Sequence, residues 1–335
     1  MEVLRIHAAA DVRLHDEPTP LPAPDEELVR ITAVGLCGSD LHWYEDGGIG
    51  RARISEPLVL GHEVGGVIAD GPREGLRVAV EPARPCGHCA TCLAGDANLC
   101  ADVRFCGHGT THGGLRTFMA WPRRLLLPVP ERMADDEVAL LEPLGIALHA
   151  IGLAHVRAGM SAGVFGCGPV GLLLIRTLRA LGLGPILATD ALPHRVEAAL
   201  ASGATEARLS SVEGQPDDID SWGPVDVAFE VAGEDAAVET ALRMVRLGGR
   251  VVVVGIPPTD RTTFGASLAR EKGLTLVMSR RMQSQHLLRA IELVDDGVVD
   301  LGGLITARYP MREGRAAFEA LVSRAGLKIV VQPAA

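Results

Sequence analysis

Two hydropathy textures divide the chain. Up to about residue 130, short apolar stretches at 28–34, 58–60, 64–68 and 77–80 are cut by Pro and Gly. Runs of that length bounded by turn residues predict strands joined by turns. From Ala134 onward the pattern changes. Asp135 and Asp136 are placed to cap a helix running through Leu140, and strand-like and helix-like stretches then alternate. The pattern predicts strands over 162–165, 186–189, 225–230 and 250–254, with helices over 170–181, 195–201 and 236–245. Such alternation folds as a parallel sheet with right-handed crossovers. Beyond Gln283 come a helical stretch, a Gly-rich turn over 297–303 and a last apolar run at 327–331. The pattern alone assigns this tail to neither half.

Composition narrows the class. A chain of 335 residues suits two domains at roughly 150 residues each, and 47% hydrophobic with 22% charged residues excludes a disordered or fibrous chain. The formal net charge of -10 repels phosphate backbones, and no basic patch opposes it, so no nucleic-acid partner is expected. No stretch of 18 apolar residues occurs, and the start lacks a basic segment followed by an apolar one. The expectation is a cytoplasmic protein with no membrane partner. Four of the seven cysteines crowd between Cys86 and Cys100, which suits metal thiolates better than a secreted disulfide framework.

Three constellations carry candidate chemistry. Gly166-Cys167-Gly168-Pro169-Val170-Gly171 follows a predicted strand and opens a predicted helix, and Asp190 closes the next strand. In that context Gly166 permits a tight turn, Gly168 lets backbone approach a pyrophosphate, Gly171 lets helix and strand pack, and the helix N-terminus at Pro169 and Val170 offers free N–H groups. Asp190 would accept from the adenosine ribose and repel a 2′-phosphate, which selects NAD over NADP. Arg195 can reach back to a phosphate, although exposure to solvent is the reading its position favours. Cys86, Cys89, Cys92 and Cys100 have spacing for a closed tetrahedral zinc; an iron–sulfur cluster is the competing ligand, although the place of Cys100 fits neither ferredoxin pattern. Cys37 and the His62-Glu63 pair, at the ends of apolar strands among glycines, supply donors for a second, open zinc site.

Taken in this order and at these separations, the segments Gly35-Leu36-Cys37-Gly38-Ser39-Asp40-Leu41-His42 and Gly61-His62-Glu63-Val64-Gly65-Gly66, the cysteine lobe and the glycine loop resemble the zinc-containing medium-chain dehydrogenases over nearly the whole chain. The resemblance implies an α/β protein: a GroES-like β-rich catalytic domain over 1–146 and 286–335, with a zinc lobe at 86–100, and a Rossmann NAD-binding domain over 147–285. It also implies two zinc ions per chain. Cys37 and His62 become catalytic-zinc ligands, Glu63 and Glu142 bind that zinc directly or stand beside it, and Cys86, Cys89, Cys92 and Cys100 hold the structural zinc. Ser39 and His42 occupy the family's proton-relay positions. Dimeric or tetrameric homo-oligomers are the family's habit, and the strand at 250–254 is similar to the edge through which its dimers pair.

Within the family, the segments at 42–50 and 57–63, Glu81-Pro82, and Val103-Arg104-Phe105 resemble sorbitol and L-idonate dehydrogenases. That implies a polyol or sugar-acid substrate. A 2,3-butanediol or L-threonine dehydrogenase shares every motif and is the rival enzyme. A zinc-stabilised binding protein is the rival outside enzymes.

Overall fold

The computed structural model describes residues 1–210, 219–259 and 261–333. It divides into two compact units, Met1–Glu142 with Gln283–Asp295 and Leu301–Ala335, and Pro143–Met282 with Asp296–Asp300.

The first unit is built on a seven-stranded sheet in the order Leu126–Pro128, Arg77–Val80, Glu63–Ile68, Glu26–Leu36, Lys328–Gln332, Ile305–Pro310, with Phe118–Pro122 also paired to Glu26–Leu36. The pairings are antiparallel except the last, between Ile305–Pro310 and Lys328–Gln332. Glu26–Leu36 starts with every second side chain buried and ends with four buried in succession. A half-exposed strand thus becomes a fully covered one as it approaches Cys37. The tail from Leu301 belongs to this unit, its strand Lys328–Gln332 lying against the end of Glu26–Leu36.

Three expectations are corrected here. Residues 58–60 form no strand: Leu58 bridges Ile6, while the carbonyls of Val59 and Leu60 accept from Gly113 and Leu115. Their bonds go to two separate segments rather than into one ladder. Ala134, not Asp135 or Asp136, is the N-cap of the helix Asp135–Ala139, and its N–H donates to Glu137. The two aspartates sit in the first turn, where their charge still suits the helix dipole, and pair with Arg77 and Arg308. A helix at Gly38–Asp46 interrupts the β texture. Only Leu41, Trp43 and Tyr44 mark it as apolar, too short a stripe for periodicity to register. One helical run, Asp135–Ala154, is long and apolar enough to cross a bilayer, but 78% of its apolar window is buried inside the protein, as in a core helix.

The second unit is a six-stranded sheet in the order Glu206–Leu209, Ile186–Asp190, Ala162–Phe165, Val225–Glu230, Val245–Val253, Thr275–Met278. Every neighbour is parallel. Numbered along the chain this is 3-2-1-4-5-6, the doubly wound order. Its direction reverses between Ala162–Phe165 and Val225–Glu230, and the glycine loop leaves the first of these. The strand resembling a dimer edge, Val245–Val253, lies inside the sheet; the edge on its side is Thr275–Met278.

Candidate metal centres and cofactor loop

Glu26–Leu36 and Glu63–Ile68 run antiparallel with Gly35 opposite Glu63. This register puts the end of one strand beside the start of the other and gathers Cys37, His62 and Glu63. One ligand atom from each lies within 4.8 Å of the others. His62 and Glu63 are buried and Cys37 is partly exposed, so the group opens on one side. Thiolate, imidazole and carboxylate with room for a further ligand form a donor set suited to a reactive zinc. Glu142 is buried and close enough to act electrostatically on His62 and Glu63, but is not part of that group of three. Burial, with Glu63 and Glu81 adding to it against His62, pushes Glu142 up to about 8. Burial opposes a charge on His62, yet Asp40, Cys37 and Glu142 hold its pKa well above the ordinary value. A cation placed among these donors would offset what raises Glu142, which is a second sign that a metal fits.

Asp40 joins the two ligand segments and was missed in the sequence as a functional residue. At the third position of the helix Gly38–Asp46 it accepts from the Cys37 N–H at 2.9 Å and the Gly61 N–H at 3.4 Å, and one oxygen lies 3.9 Å from His62 Nδ1. A carboxylate behind a ligand imidazole fixes ring orientation. The available signal was an aspartate three residues past a helix N-cap. Ser39 Oγ lies 3.5 Å from His62 Nε2, and His42, one turn along the same helix, is partly exposed with Nδ1 3.2 Å from Asp46. The Phe105 ring stands 5.4 Å from the His62 ring, measured between centroids.

The four lobe cysteines bring their sulfurs within 4.8 Å of one another, with pairs at 3.4, 3.8 and 3.9 Å. All are free thiols. Four ligands at 2.3 Å around a tetrahedral zinc stand about 3.8 Å apart, whereas a disulfide requires about 2 Å. Donation from the Cys86 and Cys89 N–H groups to Cys100 and Cys86 sulfurs favours thiolates. Leu93 and Leu99 are exposed. Burying both would supply only about 2 kcal/mol each, against on the order of 10 kcal/mol for a structural zinc.

In the second unit, Gly166 takes φ +108°, and a Cβ there would stand 2.6 Å from the Ala232 nitrogen. A Cβ on Gly171 would meet the Gly166 carbonyl oxygen at 2.0 Å. Gly168 is the N-cap and Pro169 the first residue of the helix Pro169–Ala180, with Val170 next. Asp190 is buried, accepting from the Cys167 N–H at 2.7 Å and the Leu192 N–H at 3.0 Å. Arg195 lies 4.0 Å from its carboxylate, beside Gly168 rather than out in solvent. The structure therefore brings the glycine loop, Asp190 and Arg195 together.

Two family models match: the alcohol dehydrogenase GroES-like domain over residues 23–131 and the zinc-binding dehydrogenase over residues 169–296. Sorbitol dehydrogenase of Bacillus subtilis is 33% identical over 99% of this chain and 97% of its own length. The chain belongs to the zinc-binding dehydrogenases. L-Idonate 5-dehydrogenase from Escherichia coli superposes with a TM-score of 0.92 at 30% identity, over 99% of this chain and 97% of that one. The 2R,3R-butanediol dehydrogenase of Bacillus subtilis gives 0.86 at 28% identity, over 99% of each. The recognised family, its GroES-like and Rossmann parts and its zinc and nicotinamide chemistry are thereby established for this alcohol and polyol dehydrogenase relative.

Across the glycine loop, Glu230 ends the strand Val225–Glu230 with no exposed surface. Its Oε1 accepts from the Ala232 and Gly233 N–H groups, while Oε2 finds no partner at hydrogen-bond geometry. Burial pushes its pKa up from 4.5 to about 7. A folded pKa above the unfolded one means that the linked stability is fully present below pH 4.5 and is lost as pH rises through 7. The shift corresponds to roughly 3 kcal/mol. Glu230→Gln should therefore raise the melting temperature at pH 8 and leave it near that of the parent at pH 4. An equal gain at both pH values would remove carboxylate charge as the cause.

Proposed function

We propose that this dehydrogenase moves a hydride between a secondary alcohol of a polyol or sugar acid and NAD, in the cytoplasm, as a dimer or tetramer of identical chains. The observation that carries the reading is the convergence of Cys37, His62 and Glu63 on one point, partly open at Cys37. Those three would hold the catalytic zinc, with Glu142 beside them, and Cys86, Cys89, Cys92 and Cys100 would hold the structural one. Zinc supplies Lewis acidity, which lowers the pKa of an alcohol toward the physiological range. The chain's own residues then manage the proton and the cofactor. Ser39, within 3.5 Å of His62, takes the hydroxyl proton, and His42 at the surface end of the same helix exchanges it with solvent. Gly166, Gly168, Pro169, Val170 and Gly171 cradle the pyrophosphate, and Arg195 adds a cation to it. Asp190 receives the adenosine ribose through lone pairs left over from its two backbone donors.

The test mixes purified protein and NAD with sorbitol, xylitol, L-idonate, 2,3-butanediol, L-threonine and ethanol, following reduced cofactor with and without a chelator. Chelator-sensitive turnover of a polyol or of L-idonate is expected. Turnover of butanediol or threonine alone would keep the mechanism and move the substrate class, a second reading supported by the butanediol dehydrogenase neighbour. One metal per chain with no turnover would leave a zinc-stabilised binding protein. Asp190→Gly should raise the kcat/KM ratio of NADP to NAD at least ten-fold; an unmoved ratio would place cofactor choice elsewhere.

A further inference from the structure

Lys328 is buried to 2% exposure in the strand Lys328–Gln332. A lone lysine inside an apolar run was the visible signal, and it went unread among residues 327–331. Its Nζ donates to Glu63 Oε1 at 2.7 Å, Glu63 Oε2 at 2.6 Å and the Leu36 carbonyl at 3.0 Å, which uses all three ammonium protons. The opposite wall of the pocket is Gly35. A Cβ there would stand 2.0 Å from Glu63 Oε2, so the absence of a side chain is what lets the carboxylate lie in this gap. Glu63 is thus fixed from two sides by residues 265 and 28 positions away in sequence, and it faces Cys37 and His62 in that pose.

We propose that Lys328 is a positioning residue that shares the Glu63 carboxylate with the metal and so keeps Glu63 an exchangeable ligand. The inference rests on the reading of Cys37, His62 and Glu63 as a metal site. A carboxylate offers about four lone-pair directions; Lys328 occupies two, one on each oxygen, and leaves others for a second cation. The shared negative charge is then partly answered before any metal arrives. Without the ammonium, the lone pair that it occupies on each Glu63 oxygen becomes open to the metal. Loss of Lys328 should therefore remove a competitor for the carboxylate and tighten retention of the metal.

The experiment measures metal release to a chromogenic chelator from the full-length zinc-loaded protein and from Lys328→Met and Lys328→Gln. Gln keeps two N–H donors while removing the charge, so it serves if the Met variant does not fold. Release of one metal should slow at least ten-fold, with kcat lowered, while the four-cysteine metal leaves at its original rate. The double variant Lys328→Met/Glu63→Gln, neutral on both sides, should release as fast as the unaltered protein or faster. A lysine that merely braced the fold would give the opposite sign in the single variants, because loosened packing speeds release. Unchanged or faster release in both single variants overturns the assignment of Lys328 and leaves the functional reading standing. If the unaltered protein holds one metal, and Cys37→Ala holds that same one, the functional reading falls and this inference with it.

Discussion

Cys37→Ala is expected to lower kcat by more than about 100-fold, the loss already seen when partners one step behind a metal are removed, and to reduce bound zinc from two per chain to one. Cys37 is one of three side chains converging on the open site, and it caps the helix that carries Ser39 and His42. The damage should be confined to that place. Asp40 still ties the helix start to Gly61 through backbone bonds that need no cysteine side chain, and the four sulfurs of the lobe form a separate group. Steady-state kinetics and metal analysis on the same preparation check both halves. Retention of two zinc ions with turnover within a few-fold of the parent would refute Cys37 as a ligand. Cys100→Ser should fail differently, losing the other zinc together with much of the stability of the first unit.

Gly171→Ala should weaken NAD binding at least ten-fold and lower stability by about 1–3 kcal/mol, the usual cost of forcing extra volume into tight packing. The added Cβ would stand 2.0 Å from the Gly166 carbonyl oxygen, which is backbone and cannot swing aside. Either the helix Pro169–Ala180 lifts off its strand or the turn at Gly166 opens, and in both cases the N–H groups meant for a pyrophosphate lose their arrangement. Calorimetric titration with NAD reads the first effect and thermal unfolding the second. The zinc count should remain two, since these residues lie in the other unit. Unchanged NAD affinity would show that this loop does not hold the cofactor.

These two variants concern features that the sequence announced well. Gly166 and Gly171 are legible because their job is local: a turn at φ +108° and a helix packed on its own preceding strand involve residues within a few positions. The four cysteines are legible for the same reason, since a loop of 15 residues places all four donors. The strands at 162–165 and 225–230 and the helix after the glycine loop were found where the pattern put them.

What lay outside local reach was decided by pairing between distant strands. Residues 58–60 look like a strand and are not one, because their hydrogen bonds are divided between Ile6 and the segment around Leu115. The parallel sheet ends on that side at Thr275–Met278, since that strand covers the one expected to be outermost. Asp40 stood in plain view inside a quoted motif, but its partner Gly61 is 21 residues away. Lys328 is the furthest case. A sequence can show that a lysine interrupts an apolar run; only the register of Lys328–Gln332 against Glu26–Leu36, and of that strand against Glu63–Ile68, aims it at Glu63. The sequence by itself determined the donor types, the glycine turns and the order of elements, because each depends on covalent spacing and backbone sterics. Tertiary structure decided which buried charges face one another, because strand register is set by long-range packing and a shift of one residue turns every side chain to the opposite face.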